Sequence, residues 1–307
     1  MTGKLLITGG CGFVGANLIA GAIRQGASHI RVLDNESGGD RAWISEFDVE
    51  FQRGDIRDPE AAATAVKGMD CVIHLAADTR VMDSIENPSF NFDVNVAGTL
   101  NILEAMRQQG VERIVNASTG GAIIGDATPP VNEDMPARPA SPYGAAKLAV
   151  EGYCSAYSAA YGLKATSLRF SNVYGPRSYH KGSVVALFCR QILNGEMLVV
   201  YGDGSQTRDY VYVEDLVDGI ISAIRTDETG VFQLGTGTGT SLNELIDIMR
   251  EIAGPERKID VDYADFRSGE IRHTWCDISK ARDVLGYMPK ISLLDGIKNT
   301  WDWFEAR

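Results

Sequence analysis

The chain has 307 residues, 44% hydrophobic and 23% charged, enough to bury a large core and outside the collagen-like, low-complexity and disordered classes. Lys and Arg number 29 against 41 Asp and Glu, a formal charge of -12 that repels an extended phosphate backbone and excludes nucleic acid as a partner. A single nucleotide is not excluded, because a few local N–H groups and arginines can hold a small anion.

No apolar run reaches the roughly 18 residues a membrane span needs, and Met1-Thr2-Gly3-Lys4 leads into a strand pattern without a signal-peptide hydrophobic region, so a cytoplasmic location is expected. Cys11, Cys71, Cys154, Cys189 and Cys276 are odd in number and scattered, with no Cys-x-x-Cys pair. They read as buried thiols, and neither a disulfide framework nor a metal site is expected.

In chain order, Leu5–Thr8, Ile30–Leu33, Val49–Gln52, Val72–Leu75, Ile114–Ala117 and Ala165–Phe170 are short apolar or β-branched runs separated by stretches of helical period. This alternation predicts βαβ units around a parallel sheet covered on both faces. Ser89–Gln109 carries Phe92, Val96, Leu100, Leu103 and Met106 at near-helical spacing and stops before Gly110, predicting one long helix. Ser141-Pro142 supplies the N-cap and first position of a second long helix that stops at Gly162. Helices at about 182–194, 214–226, 241–253, 278–285 and 293–305 follow, with strand-like pieces at Leu198–Tyr201 and Val211–Tyr212.

The first strand runs into Gly9-Gly10-Cys11-Gly12-Phe13-Val14-Gly15 and then a helix. In such a turn Gly9 permits the bend, Gly12 lets backbone amides approach a pyrophosphate, and Gly15 lets the helix pack close to the sheet. Asp34 ends the next strand, where an acid can accept both hydroxyls of an adenosine ribose and repels a 2′-phosphate. No Arg or Lys directly follows it, so NAD is preferred over NADP. The fold class is therefore α/β, a Rossmann-type doubly wound parallel sheet with a smaller C-terminal α/β lobe. We place the NAD-binding domain at residues 1–172 and a substrate-binding lobe at 173–307.

Tyr143 and Lys147 stand four residues apart at the start of the second long helix, on one face. A free phenol titrates near 10 and is a poor base; a nearby ammonium, with the positive nicotinamide of the oxidised cofactor, favours the phenolate.

Around this pair the sequence resembles the extended short-chain dehydrogenase/reductase family, and within it the nucleotide-sugar epimerases. The resemblance rests on the glycine turn, Gly54-Asp55-Ile56-Arg57-Asp58, His74-Leu75-Ala76-Ala77, Asn95-Val96-Ala97-Gly98-Thr99, Ser141-Pro142-Tyr143-Gly144-Ala145-Ala146-Lys147 and Asn172-Val173-Tyr174-Gly175-Pro176-Arg177. Gly202-Asp203-Gly204, Arg208-Asp209-Tyr210-Val211 and Arg267-Ser268-Gly269-Glu270 extend it over nearly the whole chain. The resemblance implies a cofactor site of Gly9, Gly12, Phe13, Val14, Gly15, Asp34, Asn35, Asp55, Ile56, Leu75, Ala76, Ala77, Asn95, Tyr143, Lys147 and Phe170. It makes Tyr143 the base and Lys147 the residue that holds the nicotinamide ribose. Asn172, Arg208 and Arg267 would grip a UDP-sugar, with Thr79, Arg80, Arg177 and Thr274 around the sugar. It also implies a homodimer through the two long helices, the second of which carries Ala156, Ala159 and Ala160.

The segment Ser118-Thr119-Gly120-Gly121-Ala122-Ile123-Ile124-Gly125 departs from the family pattern. The usual Ser or Thr that meets the sugar hydroxyl falls on Gly120, and the usual Tyr on Ile124. Thr119, Ser118 or a water would replace that hydroxyl. Dehydratases and decarboxylases of the family place an acid directly after the Thr or one later, because proton chemistry at carbon needs its own group. Here both positions are glycine, which favours an NAD-dependent UDP-sugar 4-epimerase. The alternatives are a UDP-glucuronate decarboxylase or other nucleotide-sugar oxidoreductase, or a non-catalytic nucleotide sensor. Thr274 stands where glucose-restricted relatives carry Tyr, and Arg80 or the stretch Arg177–Lys181 offers positive charge to a uronate carboxylate. Hexose, N-acetylhexosamine and uronate stay open.

Overall fold

The computed structural model describes residues 3–266 and 271–307. Its first half alternates as its hydrophobic pattern requires: β1 (Lys4–Thr8), α1 (Phe13–Arg24), β2 (His29–Asp34), β3 (Glu50–Arg53), α2 (Pro59–Val66), β4 (Cys71–His74), α3 (Val81–Glu86), α4 (Pro88–Phe92), α5 (Gly98–Gln109), β5 (Arg113–Thr119), the short turn α6 (Gly121–Ile124), α7 (Pro142–Tyr161) and β6 (Lys164–Phe170). The second half continues as β7 (Asn172–Tyr174), α8 (Val184–Leu193), β8 (Leu198–Tyr201), β9 (Thr207–Arg208), β10 (Tyr210–Tyr212), α9 (Val213–Arg225), β11 (Gly230–Leu234), β12 (Thr240–Ser241), α10 (Leu242–Ala253), β13 (Val261–Ala264), β14 (His273–Thr274), α11 (Ser279–Leu285) and α12 (Leu293–Glu305).

Seven parallel strands form one sheet in the order β11-β6-β5-β4-β1-β2-β3. The order reverses between β1 and β4, and a crevice opens there beyond the carboxyl ends of the strands, the place where open α/β sheets bind ligands. One apolar layer packs α1, α9 and α11 on the sheet through Ile7, Leu18, Val217, Ile220 and Leu285. The other packs α2, α5 and α7 through Leu6, Ile102, Met106, Val150 and Cys154. Because β11, α9 and α11 belong to the sheet's core, the first lobe draws on both sides of residue 172. The smaller lobe gathers α8, α10 and α12 around Tyr174, Phe188, Leu245 and Trp301.

The single helix expected over 89–109 is interrupted. Residues Asp93–Ala97 form a π-helical turn in which the Gly98 N–H reaches back to the Asp93 carbonyl. Such a bulge commonly marks a functional site, and here it is centred on Asn95. The helix over 142–161 forms as its caps dictate: the Ser141 side chain accepts from the Gly144 N–H, and Gly162 closes the end in the left-handed conformation at φ 73°. All five cysteines are buried and unpaired. Among the described residues no helix is long and apolar enough to cross a membrane, and no group of three or more His, Cys, Asp or Glu is placed to hold a metal.

Candidate active site

At the carboxyl end of β1 the chain turns through Gly9 at φ 71°, where a Cβ would lie 2.7 Å from the Ala76 nitrogen on β4's extension. Gly12 caps α1, its N–H bonding the Gly9 carbonyl and its carbonyl receiving the Ala16 N–H. The N–H groups of Phe13, Val14 and Gly15 precede that first helical bond and face the positive end of the helix dipole. A Cβ on Gly15 would lie 2.6 Å from the Gly10 Cα, so this helix start is open to an anion only with glycine there.

Asp34 at the end of β2 is buried. Its carboxylate accepts the Cys11 N–H at 2.9 Å and the Glu36 N–H at 2.7 Å. Burial pushes its titration up, with those two bonds opposing. Two acceptor sites remain on a carboxylate so engaged, which suits a ribose diol. Asn35 donates to Asp55 at 2.8 Å, and Arg57 grips Asp55 in a fork that holds its carboxyl well below the usual range. Ile56 is buried where Gly98 has no side chain to obstruct it. A glycine cradle, a helix start and a carboxylate at the end of β2 fit the pyrophosphate and adenosine ribose of NAD.

Past β4, the Leu75 and Ala76 N–H groups bond the Thr8 carbonyl and hydroxyl. His74 is buried between Thr8 Oγ1 at 2.8 Å and Thr99 Oγ1 at 2.9 Å, and Thr99 donates onward to the Asn95 carbonyl. Since Thr99 gives its only proton to the Asn95 carbonyl, it accepts from His74 Nε2–H, leaving Nδ1 to accept from the Thr8 hydroxyl. The ring is neutral: burial pushes its pKa down to about 3, aided by the charge on Lys147. Asn95 reads both backbone groups of Asp78, accepting its N–H at 2.9 Å and donating to its carbonyl at 2.8 Å. Together these bonds fix the loop Leu75-Ala76-Ala77-Asp78 on the floor of the crevice.

Successive residues of β5 point to opposite faces. Thr119 is near enough to Tyr143 to lower its titration. Ser118 points the other way, donating to Glu151 at 2.6 Å, so of the two candidate hydroxyls Thr119 is the one left on the side of the phenol. Gly120 admits no side chain as packed, since a Cβ there would lie within hydrogen-bond range of the buried Gln233 amide. Lys147 is buried one turn from Tyr143, its Nζ donating to the Ala117 carbonyl at 2.8 Å.

In the protein alone, without the nicotinamide charge that the sequence expectation includes, burial pushes Tyr143 up to about 12, Thr119 opposes this, and Asp78 adds to it. Burial also lowers Lys147 to about 8, with Cys154 and Glu151 opposing. Desolvation is the largest influence on the phenol, and the Lys147 Nζ is engaged by the Ala117 carbonyl.

The second lobe supplies the opposite wall. Thr274 on β14 pairs in register with Arg208 on β9 and lies against Gly121, where a Cβ would stand 3.5 Å from its hydroxyl. Arg208 donates to the Thr207 and Arg272 carbonyls. Asn172 starts β7 with its side chain exposed, and Phe170 ends β6 beside Thr119. Arg177, at φ 66°, is turned to the first lobe, donating to Asn17 at 3.2 Å and to Glu46 at 3.0 Å. It bolts the lobes together and does not stand with Arg208. Thr79 and Arg80 lie exposed before α3, where Arg80 pairs with Asp83 at 2.9 Å and its charge reaches Lys181. Arg267 lies outside the described residues. Sequence reasoning missed the His74 chain, Asp78, Glu151 and Gln233, whose partners come from strands far apart in sequence.

The family model described as "NAD dependent epimerase/dehydratase family" matches residues 5–235. The UDP-glucose 4-epimerase of Mycolicibacterium smegmatis is 36% identical over 315 residues, covering 99% of both chains. Two solved structures superpose over almost the full length. The UDP-glucose 4-epimerase of Thermotoga maritima with UDP-glucose has a TM-score of 0.93 at 36% identity, covering 99% of both chains. That of Thermus thermophilus in complex with NAD has a TM-score of 0.91 at 38% identity, covering 98% of both. With the glycine cradle, Asp34 and the Tyr143–Lys147 pair on one crevice, this chain belongs to the NAD-dependent epimerase/dehydratase family.

Proposed function

We propose that the protein is an NAD-dependent UDP-sugar 4-epimerase, with Tyr143 as the base. The observation that carries this reading is the Tyr143–Lys147 pair on one face of α7 beside the end of β5, with Lys147 buried and held by the Ala117 carbonyl and Thr274 against Gly121. NAD, when bound, supplies reversible hydride acceptance at sugar C4. Gly9, Gly12, Phe13, Val14 and Gly15 would hold its pyrophosphate, Asp34 its adenosine ribose, and Asn35, Asp55 and Ile56 its adenine side. Leu75, Ala76, Ala77, Asn95 and Phe170 would line it, and Lys147 would hold its nicotinamide ribose.

The chain's own chemistry is proton transfer and grip. Thr119 orients the C4 hydroxyl, and Tyr143 takes its proton and later returns it to the same oxygen, after the 4-keto sugar has turned its opposite face to the cofactor. Asn172, Arg208 and Arg267 hold the diphosphate while the 4-keto sugar turns about its link to it. Guanidinium forks suit that task because they match phosphate oxygens. No carboxylate stands at positions 120 and 121 to move a proton at carbon, which supports epimerisation over decarboxylation.

For the sugar, the small side chain of Thr274 against Gly121 supports a site that admits both hexose and N-acetylhexosamine. The outer faces of the paired helices support a homodimer: Phe92, Tyr153 and Tyr161 are exposed there beside Ala156, Ala159 and Ala160. We assign the enzyme to the cytoplasm. Incubation with UDP-glucose, UDP-N-acetylglucosamine and UDP-glucuronate, with products read by proton NMR, tests the reading. A mass-neutral mixture of C4 epimers is expected; carbon dioxide release or accumulation of NADH would overturn it.

A further inference from the structure

The end of β5 is tied to α7 by two hydrogen bonds. The Ala117 carbonyl accepts from Lys147 Nζ at 2.8 Å and Ser118 Oγ donates to Glu151 Oε1 at 2.6 Å, while the neighbouring Thr119 acts on the titration of Tyr143. The three helix residues are spaced i, i+4 and i+8, so one face of α7 is docked on the end of one strand. The Glu151 contact is the charged one. Glu151 is buried and also takes Arg169 from β6 in a fork, Nε at 2.9 Å and Nη2 at 2.8 Å. The remaining Nη1 of Arg169 is buried with no hydrogen-bond partner among the described residues. A buried pair of this kind is weak support for stability, since apolar residues of similar volume often serve as well. Its place one turn from Lys147 calls for a different role.

We propose that Glu151 is a positioning residue for the Tyr143–Lys147 pair: fixed by Ser118 and Arg169, its carboxylate seats α7 on β5 and sets a negative charge one turn from the Lys147 ammonium. The groups that act on Lys147 are few. On its own helix Glu151 and Cys154 favour its charge, and Cys154 is itself a neutral thiol, pushed up to about 11 by burial. From β4 comes His74, neutral and hydrogen-bonded at both nitrogens. From β6 comes Arg169, answered by Glu151, and from the loop after β4 comes Asp78, whose charge acts on Tyr143. Glu151 is thus the carboxylate in this set that stands one turn from Lys147 on the same helix, its oxygens fixed by Ser118 and Arg169.

The proposal rests on the assignment of Tyr143 and Lys147 to the reaction, so Tyr143→Phe is measured in parallel. The test compares wild type, Glu151→Gln and the double variant Glu151→Leu/Arg169→Leu, which leaves no unpaired buried charge. Lys147 is titrated by NMR in carbon-13 lysine-labelled protein, and kcat and KM are followed from pH 6 to 9. Loss of the anion is expected to lower the Lys147 midpoint by about one unit in both variants. From a starting value near 8 this cuts the charged fraction at pH 8 about fivefold, and kcat with it, while kcat at pH 6 and KM stay within about twofold of wild type. A purely structural role would lower activity equally at all pH, or be cured by the double variant. If both variants keep the wild-type Lys147 midpoint and alkaline limb, the proposal is overturned. A fully active Tyr143→Phe would instead overturn the reading beneath it. Should Glu151→Gln fail to fold, the double variant alone decides.

Discussion

Gly15→Ala isolates the cofactor cradle from everything else in the molecule. The added Cβ would stand 2.6 Å from the Gly10 Cα and 2.9 Å from its carbonyl carbon, and closer still to the Gly9 carbonyl oxygen, whereas ordinary contact begins at 3.4 Å. The shortfall of about 0.8 Å is against backbone, which has no rotamer to yield. Forcing a methyl into such a gap costs roughly 1–3 kcal/mol. The protein escapes this strain by letting the turn move off the start of α1, and must restore it to bring the N–H groups back onto the pyrophosphate. Affinity for NAD should therefore fall by about 5- to 150-fold, the same energy expressed as a binding ratio. The assay is NAD content of purified protein after acid release, with calorimetric Kd of the stripped protein. Gly38→Ala is the control, since a Cβ there meets nothing within 4 Å. A Gly15→Ala protein with wild-type NAD content and affinity would refute the reading of the turn.

Other outcomes follow from the same geometry. Tyr143→Phe removes the proton-transfer group but not the ring, so turnover should fall about 10²- to 10⁴-fold with NAD content unchanged; activity within a few-fold of wild type would remove Tyr143 from its role. Burial holds the His74 pKa at about 3 against an ordinary 6.5, so the unfolded chain binds a proton that the folded one refuses, and stability is lost as pH falls from about 6.5 towards 3. Urea midpoints at pH 7 and pH 5 should diverge for wild type and converge in His74→Asn; an identical pH slope in both would exclude His74 as the source. Thr274→Tyr places a large ring against Gly121 and should reduce kcat/KM for UDP-N-acetylglucosamine far more than for UDP-glucose. Equal losses on the two substrates would show that position 274 does not face C2.

Much of the frame was legible because its signals are local. The glycine turn, the Ser141-Pro142 start of α7, and the apolar runs that became β1 to β6 each depend on a few adjacent residues, and the structure places them within a residue or two of expectation. The π-turn at Asp93–Ala97 was not legible, because one extra residue in a helix barely disturbs the hydrophobic period from Phe92 to Met106. Nor was β11, whose sheet partner β6 lies some sixty residues earlier. The candidate site divided the same way. Tyr143, Lys147 and Asp34 were found from spacing, and the choice of hydroxyl was open until strand alternation turned Ser118 to Glu151 and Thr119 to Tyr143. Arg177 read as a cleft cation, but Glu46 and Asn17, more than 130 positions away, take its guanidinium. The burial of Tyr143 was not legible either, because spacing reports a neighbouring ammonium and says nothing of how deeply the phenol is desolvated.

The central claim is that the C4 centre is oxidised and restored within one active site, with Tyr143 carrying the proton. UDP-glucose deuterated at C4 tests it directly. The UDP-galactose formed should keep its deuterium at C4 in full, with none appearing in water and none entering from it. Washout of the label, or a product that has gained solvent hydrogen at C4, would contradict it.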